Sequence, residues 1–354
     1  MASAGASLVI PPVVGPRVAR LPPPLSLSRR LKYALIRAYF AATLVVSIAL
    51  VSLVSRIIKL LFFVSEETRG AWAARAAGLG FKLIMVLNPQ IRVEYADHQA
   101  GRPPWHELFA DKNSRPLVLI NHTSTFDALF YSATLPLSVI GRLKTLAKAG
   151  LFKVPLFGTI LDACGHFPVY FAKESVLGEF SVNKDLQDKV MAKLEAHVLA
   201  GGGLSMFPEG QINRANTAEL QAFRRGTFAV ARKHNMQIWA YLHTGVEDFW
   251  PMNVRTVGGF PSKVLYKLFK VPMPPPDVDL AGFVDHIQRV MQLELDVLYM
   301  KHRNAPASEL AEARARLQSE IKVTAHGDAA VRKQLEEGVS LETGDVRSTL
   351  SFKN

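Results

Sequence analysis

No charged residue falls between Arg37 and Arg56, and the run Ala38 to Ser55 includes Leu44-Val45-Val46-Ser47-Ile48-Ala49-Leu50-Val51. Eighteen residues of helix rise about 27 Å, enough to cross the hydrocarbon of a bilayer. The run is too long and too strongly flanked by charge for an ordinary cleaved signal. A second apolar patch, Leu60 to Val64, follows Arg56 and Lys59 closely. A single span fits these patches, and so does a helical hairpin dipping into one leaflet; basic residues at both ends do not choose between them. A buried helix of a soluble protein is the competing reading.

The 354 residues carry a formal net charge of +12 and are 49% hydrophobic, so there is ample core and a need for an anionic partner. No nucleic-acid module signature is present, which turns the charge toward an anionic membrane surface and phosphorylated substrates. Residues 1–32 hold Arg17, Arg20, Arg29, Arg30 and Lys32, no acid, and several prolines. Such a stretch reads as an extended basic tail on headgroups, and its Ser and Arg content also echoes an organelle transit peptide. Cys164, the single cysteine, rules out an internal disulfide framework and a four-thiolate zinc site.

Leu117-Val118-Leu119-Ile120 is a short apolar run suited to a buried strand, and it breaks into Asn121-His122-Thr123-Ser124-Thr125-Phe126-Asp127 before Ala128-Leu129-Phe130-Tyr131. His122 therefore sits in a strand-to-helix turn, where open α/β sheets expose side chains to a crevice. On a continuous helix, residues five apart point about 140° away from each other and cannot meet. If the helix begins at Ser124, Asp127 lies in its first turn and reaches back to orient His122 as a base. The same residues match a capping box, in which Asp127 only satisfies backbone donors.

Eighty or so residues on, the run Leu204 to Phe207 breaks into Phe207-Pro208-Glu209-Gly210. The ordered pair, Asn-His-x4-Asp and Phe-Pro-Glu-Gly, resembles the glycerolipid acyltransferase family over roughly residues 116–245. Ala147-Lys148-Ala149-Gly150 and Gly165-His166-Phe167-Pro168-Val169 resemble further family segments. The family's arginine after the second of these is replaced by Tyr170-Phe171, with Lys173 nearby, and Gln211-Ile212-Asn213 intervene before Arg214. The family's late proline-bearing strand is altered to Ile238-Trp239-Ala240-Tyr241.

The resemblance implies an acyl-CoA-dependent O-acyltransferase acting on a lysophospholipid, lysophosphatidic acid foremost, with acyl-CoA as co-substrate and no cofactor. His122 and Asp127 would be catalytic. Lys148, Lys173 and Arg214 are the candidate phosphate contacts. Glu209 would bind an acceptor hydroxyl or fix the turn, and Gly210 would let the backbone come close. Partners would be membrane lipids, acyl-CoA and the acceptor, with no nucleic acid and no inferable protein. The site would lie on an endoplasmic reticulum or other intracellular membrane. Alternatives are another lysophospholipid or glycerol-3-phosphate as acceptor, a non-catalytic lipid-binding protein, or metal chemistry at His122 and Asp127, for which no third ligand has a recognisable spacing.

The rest of the chain sets the architecture. Ala71 to Leu87 reads as a helix and Ile91 to Tyr95 as a half-buried strand. Asp185 to Leu199 is an amphipathic helix stopped by Gly201-Gly202-Gly203, and Gln237 to Leu242 is a core strand. Lys263, Lys267 and Lys270 share one face of a basic helix over 263–271 that would suit an anionic bilayer or simply lie at the surface. Phe283, Ile287, Met291, Leu295 and Leu298 mark a last packed helix. The expected fold is α/β, a largely parallel sheet flanked by helices and preceded by a membrane-embedded helix or hairpin. The expected divisions are tail 1–32, anchor 33–70, catalytic domain 71–303 and polar tail 304–354.

Overall fold

A computed structural model describes residues 26–97, 102–111, 113–174, 180–182, 184–254, 256–274 and 277–325. Most of the basic tail, with the transit-peptide reading, and the chain beyond residue 325 lie outside the described residues.

Two apolar helices lead: α1 (Leu27–Lys59) and α2 (Glu66–Leu87). Ser65 caps α2, accepting from the Thr68 amide, and Glu66 and Glu67 sit in its first turn. Then follow β1 (Ile91–Tyr95), β2 (Pro116–Ile120), α3 (Asp127–Thr134), α4 (Leu137–Ile140), β3 (Leu143–Lys148), α5 (Phe157–Ala163) and β4 (Phe167–Val169). A small hairpin, β5 (Phe171–Glu174) and β6 (Phe180–Val182), precedes α6 (Lys184–Leu199) and β7 (Gly203–Met206). The chain closes with α7 (Gly226–Lys233), β8 (Gln237–Thr244), α8 (Val246–Phe249), β9 (Ser262–Lys270), α9 (Leu280–His302) and α10 (Ala307–Ala325).

Seven strands form one sheet in the order β1-β9-β8-β2-β7-β3-β4. From β8 to β4 every pairing is parallel; β9 runs antiparallel to β8, and β1 is parallel to β9. The carboxyl ends of β8, β2, β7, β3 and β4 thus share one edge. All five residues of β2 are buried, as a central strand covered on both faces requires. Leu117 and Leu119 meet a layer from α6, α7 and α9, while Val118 and Ile120 meet one from α1, α2 and α3.

Three expectations change. Residues 262–270 form a strand, because β-branched and aromatic side chains (Val264, Tyr266, Phe269) fill both faces, with Val264, Leu265 and Leu268 buried. Its lysines are not a lipid-facing row: Lys263 pairs with Glu94 and Lys267 with Glu294. The helix after β2 begins at Asp127, not Ser124. Finally, α1 starts before residue 33 and α2 runs across residue 70, so the expected boundary at 71 falls inside a continuous helix.

α1 is tied to the domain near its start. Phe40 is fully buried, edge-on to Phe126, Phe249 and Trp250. Arg37 donates to the carbonyl of Val257 and lies 4.4 Å above the Phe260 ring. A Cβ at Gly259, already at φ +99°, would come within 3.0 Å of the Phe40 ring, so the close approach needs glycine. The opposite faces of the pair carry Leu31, Leu35, Val45, Val46, Leu50 and Leu53 on α1 and Leu79, Leu83 and Val86 on α2, all exposed. Between the helices, Phe62 and Phe63 are 87% and 75% exposed. Both helices are, by length and composition, candidate membrane spans, and contiguous exposed apolar surface of this kind marks a contact with membrane or another apolar partner. The full-length chain is accordingly expected to remain in the membrane pellet through high-salt and alkaline washing. Release by alkali would contradict an embedded hairpin.

Candidate active site

Where β2 ends, Asn121 continues the ladder with its side chain. Its carboxamide donates to the His243 carbonyl and accepts from the His243 amide, both at 2.9 Å, locking the end of β2 to the end of β8. The chain then turns, and His122 is held by its own main chain. Its N–H donates to Glu209 Oε1 at 2.9 Å and its carbonyl accepts from the Asn213 amide at 2.7 Å. Its ring stacks on Phe207, centroids 4.1 Å apart and planes 28° apart.

Asp127 is wholly buried, and its Oδ2 gathers His122 Nδ1 at 2.9 Å together with the amides of Thr123 at 2.7 Å and Ser124 at 2.8 Å. Capping and orientation are therefore one interaction, where the sequence presented them as rivals. Donation of Nδ1–H to the carboxylate leaves Nε2 as the basic nitrogen. It has no hydrogen-bond partner among the described residues, and the side chain is 19% exposed. A base so oriented can take a proton from a hydroxyl brought to it. The first amides of the turn are spent on Asp127, so they do not form an anion site.

Glu209 is 2% exposed, and its second oxygen accepts from the Gln221 amide at 3.0 Å. Of the two roles open to it, the geometry is that of fixing the turn: it joins the loop after β7 to the loop after β2. Burial pushes its carboxyl up to about 8; the amides of Gln221 and His122 oppose this, and the nearby Asp127 carboxylate adds to it. Gly210 has φ +72°, and a Cβ there would sit 3.2 Å from Arg224 Cγ.

The phosphate candidates are spread more widely. Lys148 is exposed at the end of β3, two strands from β2 and so about 10 Å across the sheet. Arg214 is exposed and follows Asn213, the residue that meets the His122 carbonyl. The side chain of Lys173, on β5, lies outside the described residues. Among the described residues no group of three His, Cys, Asp or Glu side chains could hold a metal ion. Asn213 and His243 are residues of this site that sequence spacing did not single out, and Phe207 was named only as the first residue of its motif. Asn213 is visible only as an insertion before Arg214, and nothing local marks His243.

Three comparisons bear on this geometry. The family model described as Acyltransferase matches residues 102–243. Compared with curated proteins, the chain matches none. The crystal structure of the 1-acyl-sn-glycerophosphate (LPA) acyltransferase PlsC from Thermotoga maritima is similar in fold, with TM-score 0.53 and 16% identity over 77% of this chain and 98% of that one.

The Glu209 geometry carries a pH dependence. Unfolded, its carboxyl loses its proton near 4.5; folded, it keeps it to about 8. Its contribution to stability is thus complete below pH 4.5 and is lost as pH rises toward 8. Denaturation at pH 5, 6.5 and 8 should show stability falling across this window in the parent and a flatter course in Glu209→Gln. Parallel courses in the two proteins would contradict the assignment.

Proposed function

We propose, on the match of residues 102–243 to the family model described as Acyltransferase, that the protein transfers an acyl group from acyl-CoA to the hydroxyl of a membrane lysophospholipid, 1-acylglycerol-3-phosphate first. The observation that carries this reading is the His122–Asp127 pair with Nε2 unpartnered at the carboxyl edge of the sheet. The PlsC enzyme of similar fold, an LPA acyltransferase by title, supports the choice of acceptor.

In the proposed reaction His122 Nε2 takes the acceptor's hydroxyl proton as that oxygen attacks the thioester carbonyl. The carbon–sulfur bond breaks, the new ester forms, and the imidazolium proton passes to the leaving thiolate. Asp127 stabilises the imidazolium, and no acyl-enzyme is required. Lys148, Lys173 and Arg214 supply positive charge for the phosphates of acceptor and CoA. Glu209 and Gly210 shape the turn that carries Arg214. The apolar faces of α1 and α2 keep this edge at the lipid surface from which the acceptor comes.

Thiol release from acyl-CoA by the purified protein, measured over a panel of lysophospholipids and glycerol-3-phosphate, tests the reading. Release should depend on the acceptor and be greatest with 1-acylglycerol-3-phosphate. Preference for another acceptor would reassign the head group. No acceptor-dependent release with any of them would leave a lipid-binding protein on this fold.

A further inference from the structure

Behind Asp127, on the side away from His122, lies a second imidazole. His243 is fully buried near the end of β8, edge-on to Phe130 at 5.8 Å between centroids. Its Nε2 is 3.1 Å from the Asn121 carbonyl oxygen and 3.6 Å from Asp127 Oδ1. A carbonyl oxygen can only accept, so Nε2 carries the hydrogen. Burial holds the imidazole below its ordinary pKa, which keeps the ring neutral with that one N–H.

Asp127 Oδ1 is buried and has no hydrogen-bond partner among the described residues, while Oδ2 serves three donors. A carboxylate loaded on one oxygen is free to rock about its Cβ–Cγ bond unless something fixes the other. The His243 N–H lies 3.6 Å from Oδ1, longer than a hydrogen bond and shared with the Asn121 carbonyl, and the Asn121 carboxamide grips the His243 main chain on both its N–H and its carbonyl. Asn121 thus pins the second histidine while its neighbour, His122, serves as the base.

We propose that His243 is a positioning residue: its Nε2–H, placed between the Asn121 carbonyl and Asp127 Oδ1, sets the carboxylate plane that orients His122. The inference rests on the acyl-transfer reading for its kinetic consequence, but not for its geometric one. A neutral donor is suited to the place. It steadies the buried negative charge without neutralising it, so Asp127 keeps the charge that stabilises a protonated His122.

The test compares the parent with His243→Phe, which fills the space without a donor, and His243→Gln, whose terminal amide brings an N–H to the position of Nε2. His243→Met replaces the phenylalanine variant should that one fail to fold. Two quantities are read: acyl-transfer kinetics, and the 15N chemical shifts of the His122 imidazole in histidine-labelled protein. The donor-less variant should lose roughly 10- to 100-fold in kcat, the scale seen for partners that orient a reactive group. Its KM should hold, the His122 shifts should move, and the glutamine variant should recover most of the parent's values. Unmoved His122 shifts overturn the proposal whatever the rates do. So does an equal loss in all variants that follows a lowered thermal midpoint. A parent without acyl transfer defeats the functional reading alone, and the His122 shifts still decide the role of His243.

Discussion

One carboxylate oxygen, Asp127 Oδ2, organises the site. It is sealed from water and receives two main-chain amides and an imidazole nitrogen. A buried carboxylate without such donors costs several kcal/mol, so the turn, the start of α3 and the ring of His122 are fixed together or not at all. Three short hydrogen bonds to a single oxygen leave the imidazole little choice of direction, and the tautomer follows from it.

The sheet supplies the remaining constraint. β7 lies beside β2, so the two loops that leave their carboxyl ends are neighbours, and Glu209 and Asn213 reach the N–H and the carbonyl of His122 from the same segment. His122 is thus held by main chain as well as side chain. On the other face, Phe40 of α1 packs on Phe126, the residue before Asp127, and Ser124 donates to the Trp250 carbonyl at 2.8 Å. The apolar helix pair is consequently part of the packing beneath the turn that carries His122. The apolar surface of the helix pair and the geometry of the site thus share a core.

Much of this was legible in the sequence because the signals are local. The apolar run of β2 followed by small polar residues marked the turn, and the five-residue spacing meant that His122 and Asp127 could meet only if the helix began after His122, as it does at Asp127 and not at Ser124. The parallel sheet followed from alternating strands and helices. What stayed hidden depends on partners distant in sequence. β9 reads equally as a helix until β8 and β1 flank it, since three lysines at spacings of four and three also suit a helical face. For Glu209 the sequence left acceptor binding and turn fixing open, because its two backbone donors, His122 and Gln221, come from separate loops. His243 lies over a hundred residues from Asp127, and no spacing rule links them. The boundary at residue 71 failed because composition changes within α2 although the helix does not stop.

The proposed chemistry depends on His122 as the base. His122→Ala keeps the main-chain contacts of residue 122 and the two amides on Asp127 Oδ2 and opens no large core cavity, so the protein should remain folded and in the membrane. Steady-state turnover of this variant with acyl-CoA and acceptor should then fall by at least about 10²-fold, the contribution expected of a positioned general base. A folded, membrane-bound His122→Ala protein turning over at the parent's rate would contradict the mechanism.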